Sequence, residues 1–432
     1  MSKKKIFIIL IVLAISFVWF FKNNIREKAR NLLSEDVKMF VQSFIFGKEA
    51  AERLEILKYY NYNEVFLPNT QFQKINLKKQ KIPIAENKTK SHFQEINNYA
   101  KKYGSYKFFL EIYKNKLIII NSIGQIIQYQ EKNVGALDDI SPGSYKSNIN
   151  ELNFYSILDT FVYSDTLFLS ASKKIKENCF NFVLYKSEIK NGNKMGLNFN
   201  EIFESKECVK IPLGGRMQVL KEDNNDFLLV TTGADNEEKL NLAQDMNSIF
   251  GKILKFDLIN FNYEIYSSGH RNPQGLLVYK DYILSTEHGP KGGDEINLIN
   301  KGKNYGWPIA SYGEAYNRQL KRNKNLEKFD YKNHEENNFE EPIFAFIPSI
   351  AISEIIDVNE NFSKKFVDNF FITSLGAKSL FRIKFNKKFQ KLIFIEKIYI
   401  GERIRDIKYS PMNNFYIMAL ENGSLGILSA VE

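Results

Sequence analysis

The sequence predicts an all-β fold, a six-bladed β-propeller, carried behind an N-terminal membrane-anchor helix and a short helical stalk. Three observations lead there. From about residue 104 short apolar strands alternate with tight turns, and helix signals disappear. The same strand–turn rhythm returns about every 50 residues, as four-stranded blades require. Residues 104–432 are also too many for a single sandwich.

The N-terminus comes first. Lys3, Lys4 and Lys5 precede an uncharged apolar run from Ile6 to Phe21, which is followed by Lys22 and Arg26. The run is slightly short of the roughly 20 residues that a bilayer helix uses. Past the small residues Ala14 and Ser16 it continues through Phe17, Val18, Trp19, Phe20 and Phe21, where a signal peptide would turn polar. Residues 1–22 are therefore expected to be an uncleaved anchor. The basic flank puts the remainder outside the cytoplasm, on the periplasmic side of a bacterial inner membrane. Residues 23–103 carry apolar groups at helical spacing (Ile25, Ala29, Leu32, Leu33, then Val37, Phe40, Val41, then Ala50 to Leu57) and are expected to form a helical stalk or cap.

Residues 104–432 are expected to be the propeller. Phe108–Tyr113, Lys116–Ile120 and Ile126–Tyr129 set the strand rhythm. It recurs in Phe227–Thr231 with Gly251–Phe256, in Leu276–Thr286, in Phe370–Thr373 with Leu380–Ile383, and in Phe415–Met418 with Leu425–Leu428.

Of the 432 residues, 44% are hydrophobic and 25% charged, a globular balance. The net charge of +10 invites a nucleic-acid reading, but the lysines are scattered and no nucleic-acid-binding motif is present. No nucleic-acid partner is expected. Cys179 and Cys208 lie in neighbouring β-like segments, Phe180–Leu184 and Val209–Ile211, and in an exported domain such a pair is placed to form a disulfide.

The densest chemistry lies between Gly269 and Pro308. A hairpin delivers the chain to Glu287-His288-Gly289-Pro290-Lys291-Gly292-Gly293-Asp294-Glu295. Glycines free this turn to aim carbonyls inward, and Asp294 and Glu295 add hard oxygens. Calcium takes about six to eight such oxygens, so on spacing alone the turn reads equally as a calcium site or as a solvated acidic turn.

Four motifs then occur in one order: Gly269-His270-Arg271-Asn272-Pro273-Gln274-Gly275-Leu276; Glu287-His288-Gly289-Pro290 with Gly293-Asp294-Glu295-Ile296-Asn297; Asn304-Tyr305-Gly306-Trp307-Pro308; and Arg403-Ile404-Arg405-Asp406. Together they resemble the glucose/sorbosone dehydrogenase family dependent on pyrroloquinoline quinone (PQQ), in particular its soluble aldose sugar dehydrogenase branch. The resemblance spans about residues 205–425. It implies a six-bladed propeller that binds PQQ and calcium and oxidises a sugar or polyol hydroxyl by hydride transfer, with electrons passed to a respiratory acceptor. Arg271, Asn272, Arg403 and Arg405 would face the cofactor, since guanidinium forks suit its three carboxylates. The backbone oxygens of Gly289 and Pro290 would hold the cofactor calcium, and Asp294, Glu295 and Tyr305 a second, structural calcium. Trp307 reads as core.

The sequence departs from the family at the general base. The histidine expected before the Gly-Arg step falls on Pro212, in Pro212-Leu213-Gly214-Gly215-Arg216. The Gly-Asp that should end the following strand reads Gly233-Ala234-Asp235. Asp235 and Glu421 are conceivable replacement bases. No catalytic residue is assigned, and the alternative expectation is a catalytically degenerate, calcium-stabilised propeller that binds a carbohydrate or protein partner.

Overall fold

Among the described residues six four-stranded antiparallel sheets succeed one another. The computed structural model describes residues 75–82, 107–137, 140–189, 196–234, 240–314 and 334–431. The chain divides into Met1–Asn63 and Glu64–Glu432, and every described residue belongs to the second part. The expected anchor, 1–22, and the stalk up to residue 74 lie outside the described residues. Among the described residues no helix is long and apolar enough to cross a membrane.

After β1 (Ile75–Lys81), blade one is β2 (Phe108–Tyr113), β3 (Lys116–Asn121), β4 (Ile126–Gln130) and β5 (Gly143–Ser144). Following β6 (Lys146–Ser147), blade two is β7 (Ser156–Tyr163), β8 (Thr166–Lys176), β9 (Cys179–Glu188) and, past β10 (Gly196–Leu197), β11 (Asn200–Glu204). Blade three is β12 (Leu213–Glu222), β13 (Asn225–Gly233), β14 (Lys252–Asp257) and β15 (Tyr263–Ser268). Blade four is β16 (Pro273–Tyr279), β17 (Tyr282–Glu287), β18 (Asp294–Leu298) and β19 (Phe344–Phe346). Blade five is β20 (Ile352–Asp357), β21 (Phe370–Ser374), β22 (Ser379–Phe385) and β23 (Leu392–Tyr399). Blade six is β24 (Ile404–Ser410), β25 (Phe415–Leu420) and β26 (Ser424–Ala430), with β1 as its outer strand.

That last pairing corrects the sequence reading. Residues 75–81 were placed in the helical stalk, yet they pair antiparallel with β26, from Ile75 opposite Ala430 to Lys81 opposite Ser424. The two ends of the ring are thus closed by hydrogen bonds. The strand escapes notice because it is an edge: Lys78, Lys79 and Lys81 are exposed and only Gln80 is buried. Lysines on an edge strand block further strand addition and erase the apolar alternation.

The blades hold together through six apolar clusters, each shared by two neighbours. The run Leu117-Ile118-Ile119-Ile120 shows how. Ile118 and Ile120 pack towards Ile157, Leu167 and Val183 of blade two, whereas Leu117 and Ile119 pack towards Ile417 and Leu425 of blade six. Alternation along a strand sends successive side chains to opposite faces. A sheet covered on both faces therefore reads as a continuous apolar run.

The innermost strands β2, β7, β12, β16, β20 and β24 form a closed ring. Five of them break register close to the axis: between Ile157 and Asp159, Gly214 and Met217, Pro273 and Gly275, Ile352 and Ile355, and Ile404 and Asp406. Each bulge re-aims a side chain, and the residues set free include Arg216, Gln274, Glu354 and Arg405. At Gly215 the bulge needs glycine. Its φ is +102°, and a Cβ would lie 2.7 Å from Leu158 Cβ.

Arg216 is buried on the axis. It donates from Nε to Gln274 O at 2.7 Å, from Nη1 to Asp159 Oδ1 at 2.8 Å and from Nη2 to Arg405 O at 2.8 Å. Glu354 Oε2 lies 2.9 Å from Nη1, and the guanidinium sits 5.6 Å from the Phe109 ring centroid. One side chain of blade three thus reaches all five other blades. Beyond it Lys408 Nζ lies 3.5 Å from Glu111 Oε1, and Glu111 accepts from Thr160 Oγ1 and Val162 N.

Burial, reinforced by Asp406 and opposed by Lys408, pushes Glu111 up to about 7. An acid raised in the folded state contributes most stability while protonated. That contribution is lost as pH rises from the ordinary carboxylate range through about 7. We expect the melting temperature of the parent to fall more steeply between pH 5 and pH 8 than that of Glu111→Gln. The difference should be at most about 3 kcal/mol, at roughly 1.4 kcal/mol per pKa unit. Parallel pH profiles in calorimetry would refute it.

Candidate functional site

The site is built on the turn between β15 and β16. Glu287, at the end of β17, is buried and organises it. One carboxylate oxygen accepts from the backbone N–H groups of Arg271 and Asn272, and the other meets His270 Nδ1 at 3.0 Å. His270 is locked from its other side by Ser267 and stacks on Tyr305. The turn is braced from blade three. Ala234 N donates to Arg271 O at 2.8 Å, and Ala234 O accepts from Trp307 Nε1 at 2.7 Å. A Cβ on Gly233 would lie 2.6 Å from Arg271 O, so the close approach requires glycine.

Arg271 extends over Trp307, its guanidinium carbon 5.3 Å from the ring centroid. Its Nη1 donates to His288 O at 2.9 Å and Gly289 O at 2.7 Å. Trp307 is 4% exposed and belongs to the core cluster between blades two and three, as the sequence reading held. Asn272 Oδ1 accepts from Gly214 N and from Gln274 Nε2. Gln274 Oε1 in turn accepts from Arg405 Nη1 at 3.2 Å. Asn272 and Arg405 are thereby linked through Gln274, with Arg271 next to Asn272 in the same turn. Sequence reasoning assigned Gln274 and Glu287 no role; both lie inside the quoted motifs, which was the available signal.

Arg403 and Arg405 share Glu421. Glu421 Oε1 accepts from Arg405 Nε at 3.0 Å and from Nη2, and Oε2 accepts from Arg403 Nε. Burial pushes the Glu421 carboxyl up, but Arg405 and Arg403 outweigh it and hold it at about 2. A carboxylate this acidic and this engaged is a poor proton acceptor at neutral pH, which removes Glu421 as a replacement base. Asp235, the other candidate, lies outside the described residues.

The expected metal ligands are not drawn to one point. Asp294 accepts from Gly289 N and from Ile352 N, both at 3.1 Å, so it clamps the glycine turn to blade five. The Tyr305 hydroxyl donates to Leu298 O and accepts from Asn300 N. Glu295 follows Asp294 in β18 and points to the opposite face. It accepts from Asn297 Nδ2 at 3.3 Å. Burial, with Glu287 and Asp294 nearby, raises its carboxyl well above the ordinary range. Asn297 Oδ1 is buried without a hydrogen-bond donor among the described residues. Crowded carboxylates beside an orphaned amide oxygen suit a hard cation, although no three-ligand His/Cys/Asp/Glu cluster is present among the described residues. At the other proposed calcium position, Gly289 O already accepts from Arg271.

Pro212 is buried at the entry to β12, two residues before the Gly214 N–H that reaches Asn272. Its loop is pinned by the expected disulfide between Cys179 and Cys208, and by the reciprocal hydrogen bonds of Phe180 and Val209. Lys210 and Ile211 do not continue the strand foreseen there.

Two observations test the platform against an anionic, polar cofactor. Arg403 is 39% exposed at its side chain, and among the described residues its guanidinium has no partner beyond Glu421. His288 Nε2 is buried without a partner among the described residues. Burial, aided by Arg271 and Arg405 against Asp294, lowers the His288 pKa, so the ring is neutral and able to accept a hydrogen bond. The open guanidinium fits a carboxylate of a planar polycarboxylate such as PQQ, whereas the neutral imidazole nitrogen would meet a hydrogen-bond donor of the ligand.

Comparison with known proteins agrees with this geometry. The sequence profile of the glucose/sorbosone dehydrogenase family matches residues 152–427. Aldose sugar dehydrogenase YliI of Escherichia coli is 29% identical over 226 residues, 48% of this chain and 57% of that protein. Quinoprotein glucose dehydrogenase B of Acinetobacter calcoaceticus is 42% identical over 97 residues, 18% of this chain and 20% of that protein. The chain thus spans little more than half the length of the first of these relatives, and less of the other. The apo-form soluble aldose sugar dehydrogenase from Escherichia coli superposes with a TM-score of 0.61 at 20% identity, over 83% of this chain and 99% of that one. The PQQ-bound aldose sugar dehydrogenase from Streptomyces coelicolor superposes with a TM-score of 0.57 at 16% identity, over 83% and 99%. At those identities the structures speak for the fold, the six-bladed propeller; the profile, matched over well over half of the sequence, speaks for descent. This chain belongs to the glucose/sorbosone dehydrogenase family.

Proposed function

We propose that this protein is a PQQ- and calcium-dependent sugar dehydrogenase, held at a membrane by its N-terminus with the propeller outside the cytoplasm. The observation that carries the reading is the link from Asn272 through Gln274 to Arg405, with Arg271 next to Asn272 in the same turn, beside the orphaned His288 nitrogen. PQQ, when bound, supplies a quinone able to take up a hydride from a sugar carbon. The chain's own work is to bind and orient. Arg403 offers an open fork to a carboxylate, Asn272 and Gln274 offer amides, and Glu287 fixes the Arg271–Asn272 turn. Calcium would be held by backbone oxygens at Gly289 and Pro290 after Arg271 withdraws from Gly289 O, and separately near Glu295 and Asn297. The Cys179–Cys208 disulfide supports an oxidising compartment, and a respiratory acceptor would take the electrons.

A second reading rests on Pro212, which carries no proton acceptor where the family's base is expected. On that reading the propeller binds the cofactor or a carbohydrate without turnover. Reconstitution separates the two. Full-length protein in detergent is loaded with calcium and PQQ, and dye reduction is followed with a panel of aldoses. PQQ binding with aldose-dependent reduction supports the enzyme; binding without reduction supports the second reading. Failure to bind PQQ would remove the roles given to Arg271, Arg403 and Arg405. Chelation is expected to lower the melting temperature by several degrees, and an unchanged value would remove the calcium near Glu295.

A further inference from the structure

We infer that Glu421 is a positioning residue: it holds the Arg403 guanidinium by its Nε edge so that the open Nη edge receives a carboxylate of the ligand. The inference deepens the cofactor reading and takes from it only the identity of that ligand.

The two arginines look equivalent in sequence but are used differently. Arg405 is buried, with Nε and Nη2 on Glu421 and Nη1 on Gln274. Arg403 has a side chain 39% exposed and contacts Glu421 through Nε alone. Glu421 is itself fixed: its side chain is wholly buried, and its N–H donates to Arg403 O at 2.9 Å. One carboxylate faces two guanidiniums with Lys107 close by, so the cluster is net positive, and among the described residues Arg403 has no partner for its Nη groups. A long exposed side chain normally loses rotamer freedom when a ligand fixes it; Glu421 removes that cost in advance. Arg403 is therefore the receiving fork, and Arg405 a wedge that fixes Glu421 and Gln274.

The test uses the full-length protein and two probes. PQQ binding is read by quenching of tryptophan fluorescence; citrate, a tricarboxylate without the quinone, by thermal shift. Arg403→Gln and Glu421→Gln are each expected to weaken both probes about tenfold, the loss of roughly one charge-assisted contact. The double variant should bind no more weakly than Arg403→Gln alone, because the glutamate acts through that arginine. Glu421→Asp keeps the charge but shortens the reach, so it too should bind weakly; it replaces Glu421→Gln if the latter does not fold. Tighter binding in Glu421→Gln would make the glutamate a competitor and overturn the inference, as would additive losses or parent-like binding by Glu421→Asp. A parent that binds citrate but not PQQ overturns the cofactor reading, while the citrate comparison still decides on Glu421. A parent that binds neither overturns both.

Discussion

Arg216→Met is expected to abolish the cooperative melting transition of the propeller. The arginine donates to Asp159, Gln274 O and Arg405 O and pairs with Glu354, so its loss unties blades two, four, five and six at once. Worse, it leaves the buried Asp159 and Glu354 carboxyl groups without their donor. Asp159 is already pushed up to about 8 by burial, despite Arg216, with Glu354 and Asp406 adding to the push. Leaving a buried polar group without its partner costs about 1–3 kcal/mol, and here one guanidinium serves Asp159, Glu354 and two backbone carbonyls together. Set against a whole-domain stability of roughly 5–15 kcal/mol, that is most of the margin. Arg216→Lys should fall between, since an ammonium keeps the charge but cannot span three directions as a planar fork does. Adding Asp159→Asn and Glu354→Gln to Arg216→Met should restore part of the loss, because the stranded carboxylates disappear. Circular dichroism melts of the four proteins check this. An Arg216→Met variant that melts within a degree or two of the parent would show that apolar packing between blades suffices.

Much of this was legible before the structure. Strand–turn–strand units such as Phe108–Ile120 and Leu276–Thr286 announce themselves, because a blade buried on both faces must be apolar throughout and its hairpins need tight turns. The site motifs were legible too, and they fall where the inner strands end. The axis was not. It is assembled from β-bulges, and a bulge inserts one residue that no alternation pattern can place. Gln274 therefore reads as the polar member of a strand, although its backbone and side chain tie Arg216, Asn272 and Arg405 together. Distance hid the rest: Glu421 follows Arg405 by a hairpin, and Arg216 meets Arg405 O across 189 positions. The edge strand Ile75–Lys81 was lost to its own lysines.

Pro212→His is expected to raise aldose-dependent dye reduction by about 10²–10⁴-fold over Pro212→Ala, the usual yield of a placed general base. The position suits it. Pro212 begins the stretch that leads through Gly214 N to Asn272 Oδ1, and its loop is anchored by Cys179–Cys208 and the Phe180–Val209 bonds. A histidine there would project from a fixed backbone two residues before the Gly214 that meets Asn272. The exchange releases the proline ring, a change worth about 0.4–1 kcal/mol, small against the expected gain in rate; Pro212→Ala carries the same backbone effect without a base. Neutral imidazole, with an ordinary pKa near 6.5, is the form that accepts a proton, so kcat/KM should fall as pH drops through that range in the histidine variant alone. If Pro212→His binds PQQ like the parent but reduces dye no faster than Pro212→Ala, then position 212 does not face the reacting hydroxyl. If the parent already turns over as fast as Pro212→His, the proton leaves by another group, and Asp235, one residue beyond the Ala234 that braces Arg271, becomes the first side chain to remove.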